Sequence, residues 1–145
     1  MTPIPGPIPA VGVVCLRRSA SGDDEVLLIR RGKPPREGEW SLPGGRIERG
    51  EAVRDAALRE LVEETGVEAR LVGLIDVVDG LFGPDFHYVL IDYLAEWVSG
   101  EPVAGDDAAE ARFVAVGDIH ALISWGATRD IVAQGIAMRR HLTPG

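Results

Sequence analysis

A single cysteine, Cys15, leaves this 145-residue chain no disulfide to form within itself. Its setting, the apolar run AVGVVCL, makes it a small buried hydrophobe by expectation. Histidine is almost as scarce, and His87, His120 and His141 are scattered, which disfavours a zinc site. No uninterrupted apolar segment approaches the roughly 18 residues that span a bilayer. The opening MTPIPGPIPA lacks a basic region followed by an apolar stretch. A soluble cytoplasmic protein with no membrane partner is the expectation. Positive charge is in deficit, since 15 Lys and Arg against 23 Asp and Glu give a formal net charge of -8. Such a field repels phosphate-rich polymers, so non-specific nucleic-acid binding is not expected. Internal repeats are absent, and the length suits one domain, residues 1–145.

The residues that are present divide the chain into clear segments. Residues 1–9 alternate Pro with small or apolar residues and read as an extended N-terminal arm. AVGVVCL and EVLLIR are β-rich runs separated by RRSASGDD, a hairpin pattern. RGKPPREGEWSLPGG carries too many prolines and glycines for a helix or central strand, so it is a long loop, of the kind that is often functional. Between Glu51 and Thr65 there is no Gly or Pro, and Gly66 follows where a left-handed cap is wanted, which predicts one helix. EARLVGLIDVV and FHYVLIDYLAEWV predict two strands around DGLFGPD. GEPVAGDDAAE reads as a polar loop, ARFVAV as a strand, and GDIHALISW and TRDIVAQGIAMRRHL as helical segments. The predicted order is β-β-α-β-β-β-α-α.

The helix carries the sharpest problem in the sequence. RELVEETGV brings Glu60, Glu63 and Glu64 within about 100° of one another on a helical wheel, and each like-charge pair costs about 0.2–0.5 kcal/mol. An acidic helix face is ordinarily solvated surface. Here, however, the glutamates share their face with Val53, Ala56 and Ala57, while Leu58 and Val62 lie opposite, so the helix is expected to be covered on two sides with its carboxylates at the edge of a crevice. Crowded, half-buried carboxylates take up protons unless a cation stabilises their charge. Hard oxygen ligands suit Mg²⁺ or Mn²⁺. Upstream, Gly44 and Gly45 permit close ligand approach, and Arg30, Arg31, Lys33 and Arg36 gather positive charge beside them, which points to anion binding.

Residues 45–67, GRIERGEAVRDAALRELVEETGV, match the Nudix box G-x(5)-E-x(7)-R-E-U-x-E-E-x-G-U at every fixed position, U being a bulky aliphatic. The match rests on Gly45, Glu51, Arg59, Glu60, Leu61, Glu63, Glu64, Gly66 and Val67. The chain thus resembles the Nudix hydrolase family, and the element order agrees over nearly its whole length. The resemblance implies an α/β fold, an α/β/α sandwich around a mixed β-sheet. It also implies hydrolysis of a nucleoside diphosphate linked to another moiety, with Mg²⁺ or Mn²⁺ as cofactor and a small nucleotide as binding partner. By position, Glu60 and Glu64 look like the principal metal ligands, and Glu63 like a further ligand or the residue that orients water. The Gly45 carbonyl is an additional possible ligand. Arg59 looks like the holder of the carboxylates, with Glu51 fixing the loop-helix junction and Gly66 ending the helix. A proton-accepting carboxylate in this family comes from the box or a later loop, where Asp106, Asp107 and Glu110 are available; Glu110 is favoured because it stands just before ARFVAV. Phosphate falls to Arg31 or Arg30, only one of which can face the site if they alternate along a strand. Base stacking falls to Phe82, His87, Tyr88 or Trp40, whereas Trp97 and Trp125 look structural. The resemblance also points to a homodimer.

Within the family, the pattern is most like the ADP-ribose pyrophosphatase-like branch, although a proline found downstream of the box in that branch is matched only approximately, by Pro84. Conversion of ADP-ribose to AMP and ribose 5-phosphate is the preferred expectation. A nucleoside triphosphate pyrophosphohydrolase of the 8-oxo-dGTP type is the second. A non-catalytic nucleotide sensor is the third, and the complete set of box carboxylates argues against it.

Overall fold

In the computed structural model the described residues are 6–142. They form strands β1 (Ile8–Arg18), β2 (Asp24–Arg31), β3 (Trp40–Ser41) and β4 (Gly44–Arg46), helix α1 (Val53–Thr65), strands β5 (Glu68–Leu81), β6 (His87–Ser99) and β7 (Ala108–Ala115), and, after a short 3-10 turn, helices α2 (Ile119–Leu122) and α3 (Gly126–Leu142). All seven strands join one mixed sheet: β1 runs parallel to β6, and the other pairings are antiparallel. No helix among them is long and apolar enough to cross a membrane.

Alternation along the strands produces the sandwich. Val11, Val13 and Cys15 of β1 and Leu27 of β2 face α1, where they pack with Ala56, Ala57 and Leu61. Val14, Leu16, Val26 and Leu28 face the other way and pack with Ile131 and Val132 of α3. A fully buried Val or Leu side chain contributes about 1.5–3 kcal/mol, so each helical layer is held by several such contacts. Cys15 lies in the core as expected, its thiol pushed up to about 12 by burial.

Three features depart from the sequence expectations. The extended arm expected over residues 1–9 is shorter, because Ile8 and Pro9 already belong to β1, paired with Tyr88 and Val89; residues 1–5 lie outside the described set. The long loop contains two short strands. Leu16 pairs with Val26, after which β1 and β2 diverge, and the gap is filled by β3 on β2 and β4 on β1. Backbone pairing there needs only a few residues free of proline, which Trp40–Ser41 and Gly44–Arg46 supply. The third departure is in β7, which begins at Ala108, so Glu110 is inside a strand.

Candidate active site

Helix α1 begins without a side-chain cap at Ala52 and ends at Gly66, whose left-handed backbone, φ 70°, lets its N–H bond the Val62 carbonyl. Its buried stripe is Ala56, Ala57, Leu61, Glu64 and Thr65, while Val62 is 47% exposed. The covered stripe thus runs through Glu64, whereas Glu63 is exposed and Leu58, on the other side, is half-buried. Of the two residues expected to be covered on the second side, Leu58 is half-buried and Val62 is exposed.

Glycine is what lets the carboxylates in. Glu64 Oε1 accepts a hydrogen bond from the Gly44 amide at 2.6 Å, and a Cβ on Gly45 would collide with the Glu60 carboxylate. Both glycines lie in β4, in the gap between β1 and β2. Burial pushes the Glu64 carboxyl up to about 8, with the nearby Glu60 and Asp107 acting in the same direction. Burial likewise raises Glu60.

One guanidinium organises the remaining acids. Arg59 donates to both carboxylate oxygens of Glu51, at 2.6 and 2.9 Å, to Glu60 at 2.8 Å, to Glu63 at 3.0 Å and to the Arg46 carbonyl at 3.1 Å. This bidentate clamp, with the Glu48 amide bonded to Glu51 at 3.0 Å, ties the loop to the helix. The Arg59 hydrogen bonds hold the Glu51 carboxyl well down, at about 2, and the acids raise Arg59 in turn.

A cavity of about 450 Å³ runs from this acidic end through the sheet gap. Glu60, Glu64, Asp106 and Asp107 line one end beside Arg31 and Lys33. Phe82, Tyr88, Leu90, Val78, Trp125 and Ile131 line the other, between the sheet and α3. The aromatic part also carries cations, since Arg36 lies over Phe82 and Trp125 and Arg46 over Tyr88.

The NUDIX domain model matches residues 6–134. The chain belongs to the NUDIX domain family. It is 40% identical over 92 residues to an ADP-ribose pyrophosphatase of Methanocaldococcus jannaschii, a match that covers 63% of this chain and 54% of that protein. It is 38% identical over 85 residues to a protein named putative 8-oxo-dGTP diphosphatase 2 of Mycobacterium tuberculosis, covering 58% of this chain and 60% of that one. The matched segments therefore span only about half to three-fifths of these curated relatives. Among solved structures, a MutT NUDIX hydrolase from Burkholderia pseudomallei shares 31% identity with a TM-score of 0.76, covering 90% of this chain and 98% of that one.

Within this NUDIX domain, the structure brings together some of the residues singled out from the sequence and separates others. Glu60, Glu64, Gly45, Arg31, Phe82, Tyr88 and Trp40 all line the cavity. Glu63 does not, and its side chain is 41% exposed against 14% for Glu60. Arg30 and Glu110 are also outside the lining, bonded to each other at 3.1 Å across the β2–β7 pair. Glu110, favoured from the sequence as the proton-accepting carboxylate just before a strand, lies within β7 and pairs with Arg30 instead of lining the cavity. His87, exposed at the start of β6, lies outside the lining too, while its neighbour Tyr88 is inside, as strand alternation requires. Trp125, read as structural, lines the cavity and meets Phe82 edge-on at 5.0 Å between ring centres. Asp92 was missed altogether; its signal was an acid in the middle of the apolar run VLIDYL.

The donor set of the acidic end suits a hard cation. It is all oxygen, it is buried enough to raise Glu60 and Glu64, and one Glu64 oxygen is left over from the Gly44 bond. Among the described residues no three His, Cys, Asp or Glu side chains close into a ready-made cage. Mg²⁺ needs none, since it takes one or two carboxylates and completes its shell with water and phosphate oxygens.

Proposed function

We propose that this protein is a divalent-metal-dependent pyrophosphohydrolase that cleaves the phosphoric anhydride of a nucleoside diphosphate linked to another moiety, with ADP-ribose, split to AMP and ribose 5-phosphate, as the preferred substrate. The observation that carries the reading is one cavity that joins the Glu60 and Glu64 carboxylates and four basic residues, Arg31, Lys33, Arg36 and Arg46, to aromatic rings. Its size falls within the range of about 300–1,000 Å³ usual for small-molecule sites. The Methanocaldococcus relative supports ADP-ribose within the substrate class.

Glu60 and Glu64 would hold Mg²⁺ or Mn²⁺, with Glu63 and the Gly45 carbonyl in reserve. A cation bound there supplies positive charge against the anhydride oxygens and makes water more acidic. Arg59 keeps Glu60 in place. Arg31 places its charge on the diphosphate, and Lys33, paired with Asp107 at 2.7 Å, stands beside it. Asp106, which lines the cavity, would take the proton from attacking water; Asp107 is paired with Lys33 and Glu110 with Arg30. Phe82, Tyr88 and Trp125 offer faces for the base.

A nucleoside triphosphate substrate of the 8-oxo-dGTP type is the second reading, favoured by the mycobacterial relative. Product analysis across a panel of nucleotides with Mg²⁺ separates the two. ADP-ribose should give AMP and ribose 5-phosphate, whereas a triphosphate should give a monophosphate and pyrophosphate. No turnover of any diphosphate or triphosphate would sink the hydrolase reading.

The two adjacent arginines give a second test. Arg31→Ala should raise KM more than it lowers kcat, because charge on a phosphate acts on ground state and transition state alike. In addition it frees the loop, since Arg31 Nε bonds the Pro35 carbonyl at 2.6 Å. Arg30→Ala removes only the exposed pair with Glu110 and should leave steady-state kinetics near wild type. Equal, small effects from both would take the basic residues out of the substrate site.

A further inference from the structure

Asp92 is a buried acid without a partner. It is 5% exposed and, among the described residues, its carboxyl makes no hydrogen bond or ion pair. Its strand neighbours provide no cation. On β1 it pairs with Gly12, where a Cβ would collide with the carboxyl. On β5 it pairs with Asp76, another acid. Burial first, and Asp76 second, push Asp92 up to about 7. Such a group costs stability wherever it is not hydrogen-bonded. Nothing in its immediate packing explains its retention.

Its place in the cavity does. Asp92 lines it together with Val78, Leu90 and Ile131, which form apolar walls for a planar ring, and Thr128, a buried hydroxyl on α3. We infer that Asp92 is a specificity-determining residue that accepts a hydrogen bond from an exocyclic amino group of the substrate's nucleobase, so that amino bases are favoured over their carbonyl counterparts. This rests on the nucleotide reading of the cavity given above. The chemistry follows from the acceptor inventory. An ionised carboxyl has two accepting oxygens and a protonated one still has its carbonyl, so an amino N–H is matched in both states. A base carbonyl at the same point would set acceptor against acceptor whenever Asp92 is ionised. A site built for an N–H discriminates strongly, because the wrong base leaves buried polar groups unpaired.

The test is equilibrium binding by calorimetry with Mg²⁺ present, using AMP against IMP, GMP against XMP, and CMP against UMP. Measured well above pH 7, where Asp92 is ionised and can only accept, at least one amino base should bind the wild type about tenfold or more tightly than its carbonyl counterpart. Asp92→Asn and Asp92→Leu should each bring that ratio below about two, because the amide can donate as well as accept and leucine does neither. Melting temperatures of both should equal or exceed the wild type, since no native bond is lost, whereas a purely structural acid would show a fall. Should Asp92→Leu not fold, Asp92→Asn, nearly the same shape, carries the test alone. A wild-type ratio near one, or a preference that survives both substitutions, would overturn the inference. Turnover of ADP-ribose is measured separately, so a failure of the hydrolase reading leaves these binding ratios interpretable.

Discussion

Glu64→Gln is expected to lower turnover by at least about 10²-fold while leaving the fold intact. The amide keeps the shape of the side chain, and its oxygen can still accept the Gly44 N–H that Glu64 takes at 2.6 Å. What it removes is the one buried negative charge on α1 that is not already bonded to Arg59. In a site where charge stabilisation supplies most of the rate, loss of that charge is felt directly. The metal-free protein should become slightly more stable, because a desolvated acid beside Glu60 and Asp107 has been neutralised. Initial rates at saturating Mg²⁺, with melting curves on the same samples, check both halves. Near-normal turnover would remove Glu64 from the site.

Arg59→Ala should reduce activity by about 10- to 100-fold, the usual effect of losing a residue that orients metal ligands. Arg59 touches neither end of the cavity. Its loss would act through Glu60, which loses a 2.8 Å bond, and through the loop, which loses the clamp on Glu51. A higher Mg²⁺ requirement, with partial recovery in Arg59→Lys, would distinguish positioning from general unfolding. The pH dependence adds an independent sign. Glu51 sits at about 2 in the fold against an ordinary 4.5, so its contribution to stability is complete above 4.5 and lost as pH falls toward 2. Arg59→Ala should lose stability mainly above that window and show a weaker fall on acidification through it. Equal acid sensitivity in the two proteins would mean that the clamp does not act as described.

The box residues were legible in the sequence because their spacing is helical and local. Gly66 as a left-handed cap, the hairpin of β1 and β2 and the β5–β6 pair were legible for the same reason. What escaped depends on contacts distant along the chain. The wheel for α1 correctly put Glu60 and Glu64 beside Ala56 and Ala57, but the side chains alone do not say which face the sheet covers. Glu110 was placed one residue before a strand whose start is fixed by pairing with Arg30 and Arg31, far away in sequence. His87 and Tyr88 are adjacent, and only the register of β6 turns the tyrosine inward. Trp125 reaches the cavity because α2 and α3 fold back over the sheet, a tertiary fact with no local signature.

The explanation offered for the crowded glutamates is that a cation stabilises them as carboxylates. Glu64, raised from 4.5 to about 8, favours its protonated form when metal-free, so the fold should lose stability as pH rises from 4.5 through about 8. Mg²⁺ reverses that preference and should release protons on binding, most strongly inside this window. The decisive measurement is the Mg²⁺-dependent rise in melting temperature from pH 5 to pH 9, with a non-hydrolysable nucleotide analogue bound, in the wild type, Glu60→Gln and Glu64→Gln. A wild-type rise that grows with pH and is largely lost in both variants is the expected result. The same rise in all three proteins, or none in the wild type, would contradict it.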